Sequence, residues 1–430
     1  MRQEDFDRLY RNRVPDPLPA GMLERIRSAQ YRDGAEETSD PLPVEDARED
    51  VRLFFDLLRY CWSGYPYYAE RFDFSALRDR IMGALPDPVP AAHLRELLCA
   101  SLKPFVSDSH FSFRGGGRLD KPIRAYFTAI TVRKAEKGYE VVRSKREDIP
   151  AGWFLTSENV RDRLFETLPS PDGTRLYLVG TLAESDPGTM DLCGRSVPLH
   201  PCRTDGFEVP GGAWSEWEDG GVKISADVSF DGGWVAETNR SLGKSGDVHF
   251  ERGLSHRSDP VLVWSLLGNH GGDSGYPKHF VEGLNGYAVW ESECAERKLA
   301  QTDPSGFEVR CETFGSPRVD LSRSEYDGRL FVLQNKQTAS SGEAAVMYAR
   351  SVKNAVFVGS ATMGCGQFGD LMKWTLPHSG VTFAMGYKVF HMEGFEEGRG
   401  LLPDLWLDSD RPWDELCAWI RACGLNRKSE

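Results

Sequence analysis

Residues 329–368 read RLFVLQNKQTASSGEAAVMYARSVKNAVFVGSATMGCGQF. The apolar run Leu330 to Leu333 has the length and composition of a buried strand. A polar turn follows, ending in Thr338-Ala339-Ser340-Ser341-Gly342-Glu343. Ala345, Tyr348, Ala349 and Val352 then recur at helical spacing over 344–352, and Ala355 to Val358 form a second strand-like run. The order is strand, sharp turn, helix, strand. A serine on such a turn stands at a helix N-terminus, where unpaired amides and the positive end of the dipole stabilise an oxyanion. Ser340 reads as a nucleophile, and the Ser341 amide as one oxyanion donor. Taken alone the segment also reads as plain helix capping, because Ser and Thr are common N-caps and a Glu follows.

Composition narrows the field. With 430 residues, 40% of them hydrophobic, the chain can bury more than one core, so two or three domains are expected. The net charge of -13 and the lack of a dense Lys/Arg cluster argue against a nucleic-acid groove and against an anionic membrane surface. The first residues, MRQEDFDRLYRNRVPDP, contain no apolar core of a signal peptide, and no run approaches the length of a membrane span. Nine dispersed cysteines without a C-x-x-C point to reduced thiols in the cytoplasm rather than to disulfides or zinc. The scattered histidines lack ligand spacing, so neither a metal nor another cofactor is expected.

Moving outward from the serine turn, residues 1–46 are charged and punctuated by Pro15, Pro17, Pro19, Pro41 and Pro43, as expected of an arm or linker with little core. Residues 47–118 read as a helical domain. Val51, Phe54, Leu57, Leu58 and Cys61 share one helix face, and Leu94, Leu97, Leu98 and Leu102 another. It ends in Ser107-Asp108-Ser109-His110-Phe111-Ser112-Phe113, where a histidine sits among alternating aromatics just after a polar turn. A histidine there is either packed in a strand or poised for chemistry, with Asp108 and Ser109 able to fix its tautomer. Residues 119–210 are strand-like and read as a small, separate β-rich domain, degenerate PDZ-like, with Ile149 to Trp153 as a turn. Residues 211–430 read as the α/β catalytic domain, beginning with strand-like pieces at 220–230 and 232–238. Within it, Val261 to Leu267 is a continuous apolar run that ends in Gly268-Asn269-His270-Gly271-Gly272-Asp273-Ser274-Gly275. That is a strand buried on both faces, followed by a turn whose glycines let backbone amides approach a ligand. The loop has neither G-K-[ST] nor G-x-G-x-x-G, so a second oxyanion donor from Gly271 or Gly272 fits better than a phosphate site.

In this order, over 47–118 and 220–408, these stretches resemble the C-terminal processing (tail-specific) serine peptidase family, most of all the branch with the tricorn protease core. LLGNHGGDSG resembles its R-G-N-x-G-G, TASSGE its nucleophile turn, and EGRGLLPDLWL its E-G-x-G-x-x-P-D-x-x-V close. The resemblance implies a multidomain α/β fold: a spiralling crotonase/ClpP-like β-sheet catalytic core with helices, an N-terminal helical domain and a small β-rich domain. It implies Ser340 as the nucleophile of an acyl-enzyme. Where part of the family uses a lysine as base, this chain has Cys365. The other route uses a histidine from an early strand start, oriented by a late glutamate, and Ser109-His110 and Glu397 match that pattern. Glu397 would then hold the imidazole directly or through Ser109. Two departures stand out. The family's D-L-R before the glycine turn is Ser265-Leu266-Leu267, and His270 occupies a usual glycine, where it narrows the oxyanion pocket or contacts substrate.

The expected function is therefore a serine-type peptidase acting on a peptide or protein substrate, with oligomeric state left open. Two rivals remain. One is a catalytically silent relative that binds peptides or apolar ligands on the same fold. The other makes Cys365 a thiol nucleophile, which leaves TASSGE unexplained. For the serine peptidase, activity is expected to rise as His110 deprotonates, near or somewhat below neutrality.

Overall fold

A computed structural model describes residues 1–12, 18–209, 214–230, 248–299 and 309–426. Pro15 and Pro17 of the expected arm, and the strand-like piece at 232–238, lie outside the described residues. The chain forms two compact units of mixed α and β structure, each assembled from three separated segments. The first comprises Met1–Lys121, Ser292–Ser316 and Cys365–Gly398; the second comprises Pro122–Glu291, Pro317–Gly364 and Arg399–Glu430.

The first unit packs helices on a six-stranded sheet. Its long helix, Val44–Cys61, follows Pro43 and carries Glu45 and Asp46 in the first turn, where acidic groups complement the dipole. Ala47, Val51, Phe54, Leu58 and Cys61, three or four residues apart, are all buried. Helix Phe74–Ala84 is capped by Asp73, whose carboxylate accepts from the amides of Ser75 and Ala76. In the sheet, strand Thr382–His391 pairs antiparallel with Asp108–Phe113, Glu293–Leu299 and Phe368–Thr375. The alternation His-Phe-Ser-Phe turns Phe111 and Phe113 into the core and leaves His110 and Ser112 half-buried on the opposite face. Phe54 lies 4.9 Å from Phe383 and 5.9 Å from Phe113, ring centre to ring centre, so one aromatic cluster joins helix and sheet.

Two sequence expectations are corrected here. The N-terminal segment 1–46 is not an arm without a core: Phe6, Ile26 and Ala29 are fully buried in this cluster, and Tyr10 Oη donates to the Ser63 carbonyl at 2.7 Å. Nor is 47–118 a helical domain by itself. It contributes helices and one paired strand to a sheet completed by 292–316 and 365–398, segments expected in the catalytic domain.

The second unit is built on a twelve-stranded mixed sheet. Strands Val222–Asp227, Val261–Ser265, Arg329–Gln334 and Ala355–Gly359 run parallel in that order. Every residue of Val261–Ser265 is buried, as a strand covered on both faces requires. Helices Ser341–Ala349, Gly275–Asn285, Val248–Ser255 and Pro412–Ala422 belong to the same unit. The segment 119–210 is built of strands and a single 3-10 turn, with no α-helix among the described residues. It is not a separate sheet domain. Leu405–Trp406 pairs with both Ala355–Gly359 and Leu164–Thr167, so Leu164–Thr167, Leu176–Ala183 and Arg124–Ala135 continue the sheet that carries the serine turn. A local apolar cluster of Ile130, Val132, Val141, Ile149 and Leu155 explains why it looked independent.

Candidate active site

In the second unit the parallel strands deliver two turns to one end of the sheet. Strand Arg329–Gln334 leads into the turn that ends at Ser340, and helix Ser341–Ala349 begins immediately after it. Thr338 Oγ1 donates to the Leu266 carbonyl at 2.8 Å, and the Ala339 amide donates to the Asn269 carbonyl at 2.8 Å. Ser340 sits at φ 53°, ψ −119°, a left-handed-side conformation that costs a non-glycine residue about 1–3 kcal/mol. Its side chain does not cap the helix. Glu343 reaches past the helix start. Its carboxylate accepts from Thr362 Oγ1 at 2.5 Å and from the Gly364 amide at 2.9 Å, fastening the turn after the next strand to the serine helix. The Ser340 side chain therefore does not play the N-cap part that the capping alternative gives it.

The glycine turn lies against this serine. A Cβ on Gly271 would stand 2.8 Å from Ser340 Cβ and 2.9 Å from the Ala339 carbonyl oxygen, and φ is +96° there. Only glycine allows that approach. Gly271 and Gly272 do not serve equally, however. The Gly271 amide is engaged, donating to Asn269 Oδ1 at 2.9 Å, and so is corrected as an oxyanion donor. The Gly272 carbonyl accepts from Ser341 Oγ at 2.6 Å. His270 is exposed.

The turn stands on a buried polar network that sequence reading did not anticipate. Asn269, fully buried, donates from Nδ2 to the Asp227 carbonyl at 2.9 Å. The Asp227 carboxylate, also fully buried, accepts from Arg252 Nη1 at 2.9 Å and Trp264 Nε1 at 2.8 Å. Arg252 also reaches Ser225 Oγ and Glu216, and His256 bridges Glu216 and Asp259. Burial alone would raise Glu216, but hydrogen bonds from His256 and the Arg252 charge hold it at about 2. No local pattern links Asp227 to Arg252, because the partners are 25 residues apart on a strand and a helix.

In the first unit, four expected residues gather around the start of strand Asp108–Phe113. The Asp108 carboxylate does not reach for the imidazole. It accepts from the main-chain amides of His110 at 2.9 Å and Phe111 at 3.1 Å, and from Trp62 Nε1 at 2.8 Å. Burial raises Asp108 to about 6 against these three donors. Glu397 accepts from the Ser109 amide at 2.9 Å and from the Gln367 amide at 3.0 Å, so one carboxylate joins the histidine strand to the Cys365 turn. Cys365, buried, places Sγ 3.3 Å from His110 Nδ1 and 3.5 Å from Nε2. Burial lowers the half-buried His110 ring to about 4. Thus Ser109, His110, Cys365 and Glu397 come together in one unit, and His270, Gly271, Gly272, Ser340 and Ser341 in the other. Among the described residues no cluster of His, Cys, Asp and Glu is arranged to hold a metal, and no helix is long and apolar enough to cross a membrane.

Residues 231–406 match Peptidase family S41, which supports a serine-type peptidase. No curated protein matches the chain. Solved structures similar to it include mature CPAF complexed with lactacystin, at 12% identity and TM-score 0.48, covering 90% of this chain and 99% of that one. The photosystem II D1 C-terminal processing protease is similar at 15% identity and TM-score 0.39, over 85% of this chain and 93% of that one. The tricorn protease is similar at 12% identity and TM-score 0.43, over 89% of this chain but 37% of its own length.

Proposed function

We propose that the chain hydrolyses peptide bonds of peptide or protein substrates through an acyl-enzyme on Ser340, with His110 as general base. His110 takes the hydroxyl proton as Ser340 Oγ attacks the carbonyl carbon. The negative oxygen is held by the amides of Ser341 and Gly272, and the proton passes to the leaving amine. Water then repeats the sequence on the ester and frees Ser340. Glu397 orients the imidazole, directly or through Ser109, whose amide donates to its carboxylate at 2.9 Å. One observation carries this reading: Ser340 stands in a strained conformation at a helix N-terminus, its hydroxyl not spent on capping and a glycine backbone pressed against it. A fluorophosphonate probe is expected to label the folded protein, and Ser340→Ala to abolish that labelling. Folded wild type that stays unlabelled would sink the proposal.

A second reading is favoured by the Cys365–His110 contact itself. A thiol 3.3 Å from an imidazole nitrogen has the spacing of a nucleophile and its base. It requires that activity survive Ser340→Ala and be destroyed by iodoacetamide, the reverse of what the serine mechanism requires at Ser340.

A further inference from the structure

We propose that Asn269 is a positioning residue of the oxyanion site, bracing the two segments that carry its amide donors from a single buried side chain and its own backbone; this rests on the serine-peptidase reading above. Asn269 is fully buried, and four of its polar groups are committed in four directions. Its amide donates to the Leu266 carbonyl at 3.1 Å, tying it to the end of strand Val261–Ser265. Its carbonyl accepts from Ala339, the residue before Ser340, at 2.8 Å. Oδ1 accepts from the Gly271 amide, and Nδ2 donates to the Asp227 carbonyl, each at 2.9 Å.

The consequence follows from what glycines do when nothing holds them. Gly271 and Gly272 adopt φ of +96° and +132°, and two successive glycines have wide torsional freedom. Fixing the Gly271 N–H on Oδ1 sets the near side of Gly271, while its carbonyl, in the same peptide plane as the Gly272 amide, accepts from the Phe230 amide at 2.8 Å, so Asn269 and Phe230 together set where the Gly272 amide points. The Ala339 bond anchors the approach to the serine, and the Ser340 carbonyl, in the same peptide plane as the Ser341 amide, accepts from the Glu343 and Ala344 amides. A preorganised donor is worth more than one that must reorient as charge develops. The other side of Asn269 leans on Asp227, which is locked by Arg252 and Trp264 in the sheet interior. That pair gives the side chain a post that does not move, which accounts for an ion pair where apolar residues would pack as well. Asn supplies a donor and an acceptor on one short planar group. Aspartate keeps an oxygen for Gly271 but loses the donor toward Asp227, and alanine keeps neither.

The test measures fluorophosphonate inactivation of the full chain, resolved into the binding constant and the maximal rate, because the phosphonyl oxygen occupies the oxyanion position. Asn269→Ala is expected to lower the maximal rate about 10- to 100-fold with binding unchanged, somewhat less than the roughly 10²–10³ lost when a donor itself is removed. Asn269→Asp should fall between it and wild type. Val263→Ala, which opens a cavity in the neighbouring buried strand without touching the turn, controls for lost stability and should inactivate at the wild-type rate. Should Asn269→Ala fail to fold, Asn269→Asp carries the test alone. An Asn269 variant that inactivates as fast as Val263→Ala, while Ser340 is still the labelled residue, overturns this inference only. A wild-type chain unlabelled at Ser340 overturns the peptidase reading and this inference together.

Discussion

The serine turn and the histidine strand start are held by different kinds of bond. Around Ser340 the contacts are mostly main chain: Ala339 amide to Asn269 carbonyl, Gly271 packed on Ser340, Glu343 and Ala344 amides to the Ser340 carbonyl. Around His110 the acceptors are carboxylates. Asp108 gathers three N–H groups and Glu397 gathers two, from residues up to 288 positions away. A site half made of backbone tolerates side-chain change but not added bulk. A half made of carboxylates tolerates bulk poorly too, and also depends on charge state and pH. Two devices thus position what the proposal treats as one reacting pair.

The widest gap between the halves should appear at Gly271. Gly271→Ala puts a methyl 2.8 Å from Ser340 Cβ and forces a positive φ, so kcat/KM should fall by about 10²–10³ and the thermal midpoint should drop with it. A wild-type rate would show that the turn is not held by close backbone approach. Next is Asp108→Ala, which strands three buried donors and should cost about 3 kcal/mol or more in denaturant unfolding. Asp108→Asn tests the charge alone. Because burial raises the folded pKa from 3.8 to about 6, the aspartate's favourable contribution is present below about 4 and lost as pH rises through 6. The Asn variant should therefore gain on wild type above pH 6; a pH-independent difference would contradict the shift.

A smaller loss is expected at Glu397→Gln, which keeps one acceptor oxygen for two amides and should lower kcat about tenfold while KM stays put. Equal damage to binding would recast Glu397 as a substrate contact. The smallest effect is one of pH. His110 is lowered to about 4, so the neutral base persists to lower pH than an ordinary histidine, and the acid limb of kcat/KM should fall well below 6.5. The same shift withdraws stability as pH falls from about 6.5, where the unfolded chain begins to take up the proton, through 4. An NMR titration of the ring with a midpoint near 6.5 would contradict the burial.

What could be read in the sequence follows the same division. The serine turn is local: a buried run, small residues and a helix within forty positions, so its elements and the strand Val261–Ser265 were legible from periodicity. The glycine turn was legible as a backbone device, but not which glycine. That depends on where the Asn269 side chain points, and an asparagine after a glycine carries no directional signal. The histidine half was legible only through resemblance, since Glu397 and Ser109 meet by tertiary pairing alone. The domain limits were misread for a related reason. Strand Thr382–His391 looks like part of the segment around it, yet its partners are Asp108–Phe113, Glu293–Leu299 and Phe368–Thr375. The early proline-rich stretch shows how few apolar residues suffice: Phe6, Ile26 and Ala29 are buried in a segment whose composition looked unstructured.

That same strand sets a schedule for making the protein. The face formed by Phe54, Phe111 and Phe113 leaves the ribosome early, and Phe383, which completes it, is translated about 270 residues later. At roughly 5–20 residues per second the nascent chain carries that greasy surface uncovered for on the order of half a minute. An N-terminal fragment ending before Thr382 would keep it uncovered for good, so such truncations should require a holding chaperone or collect in inclusion bodies.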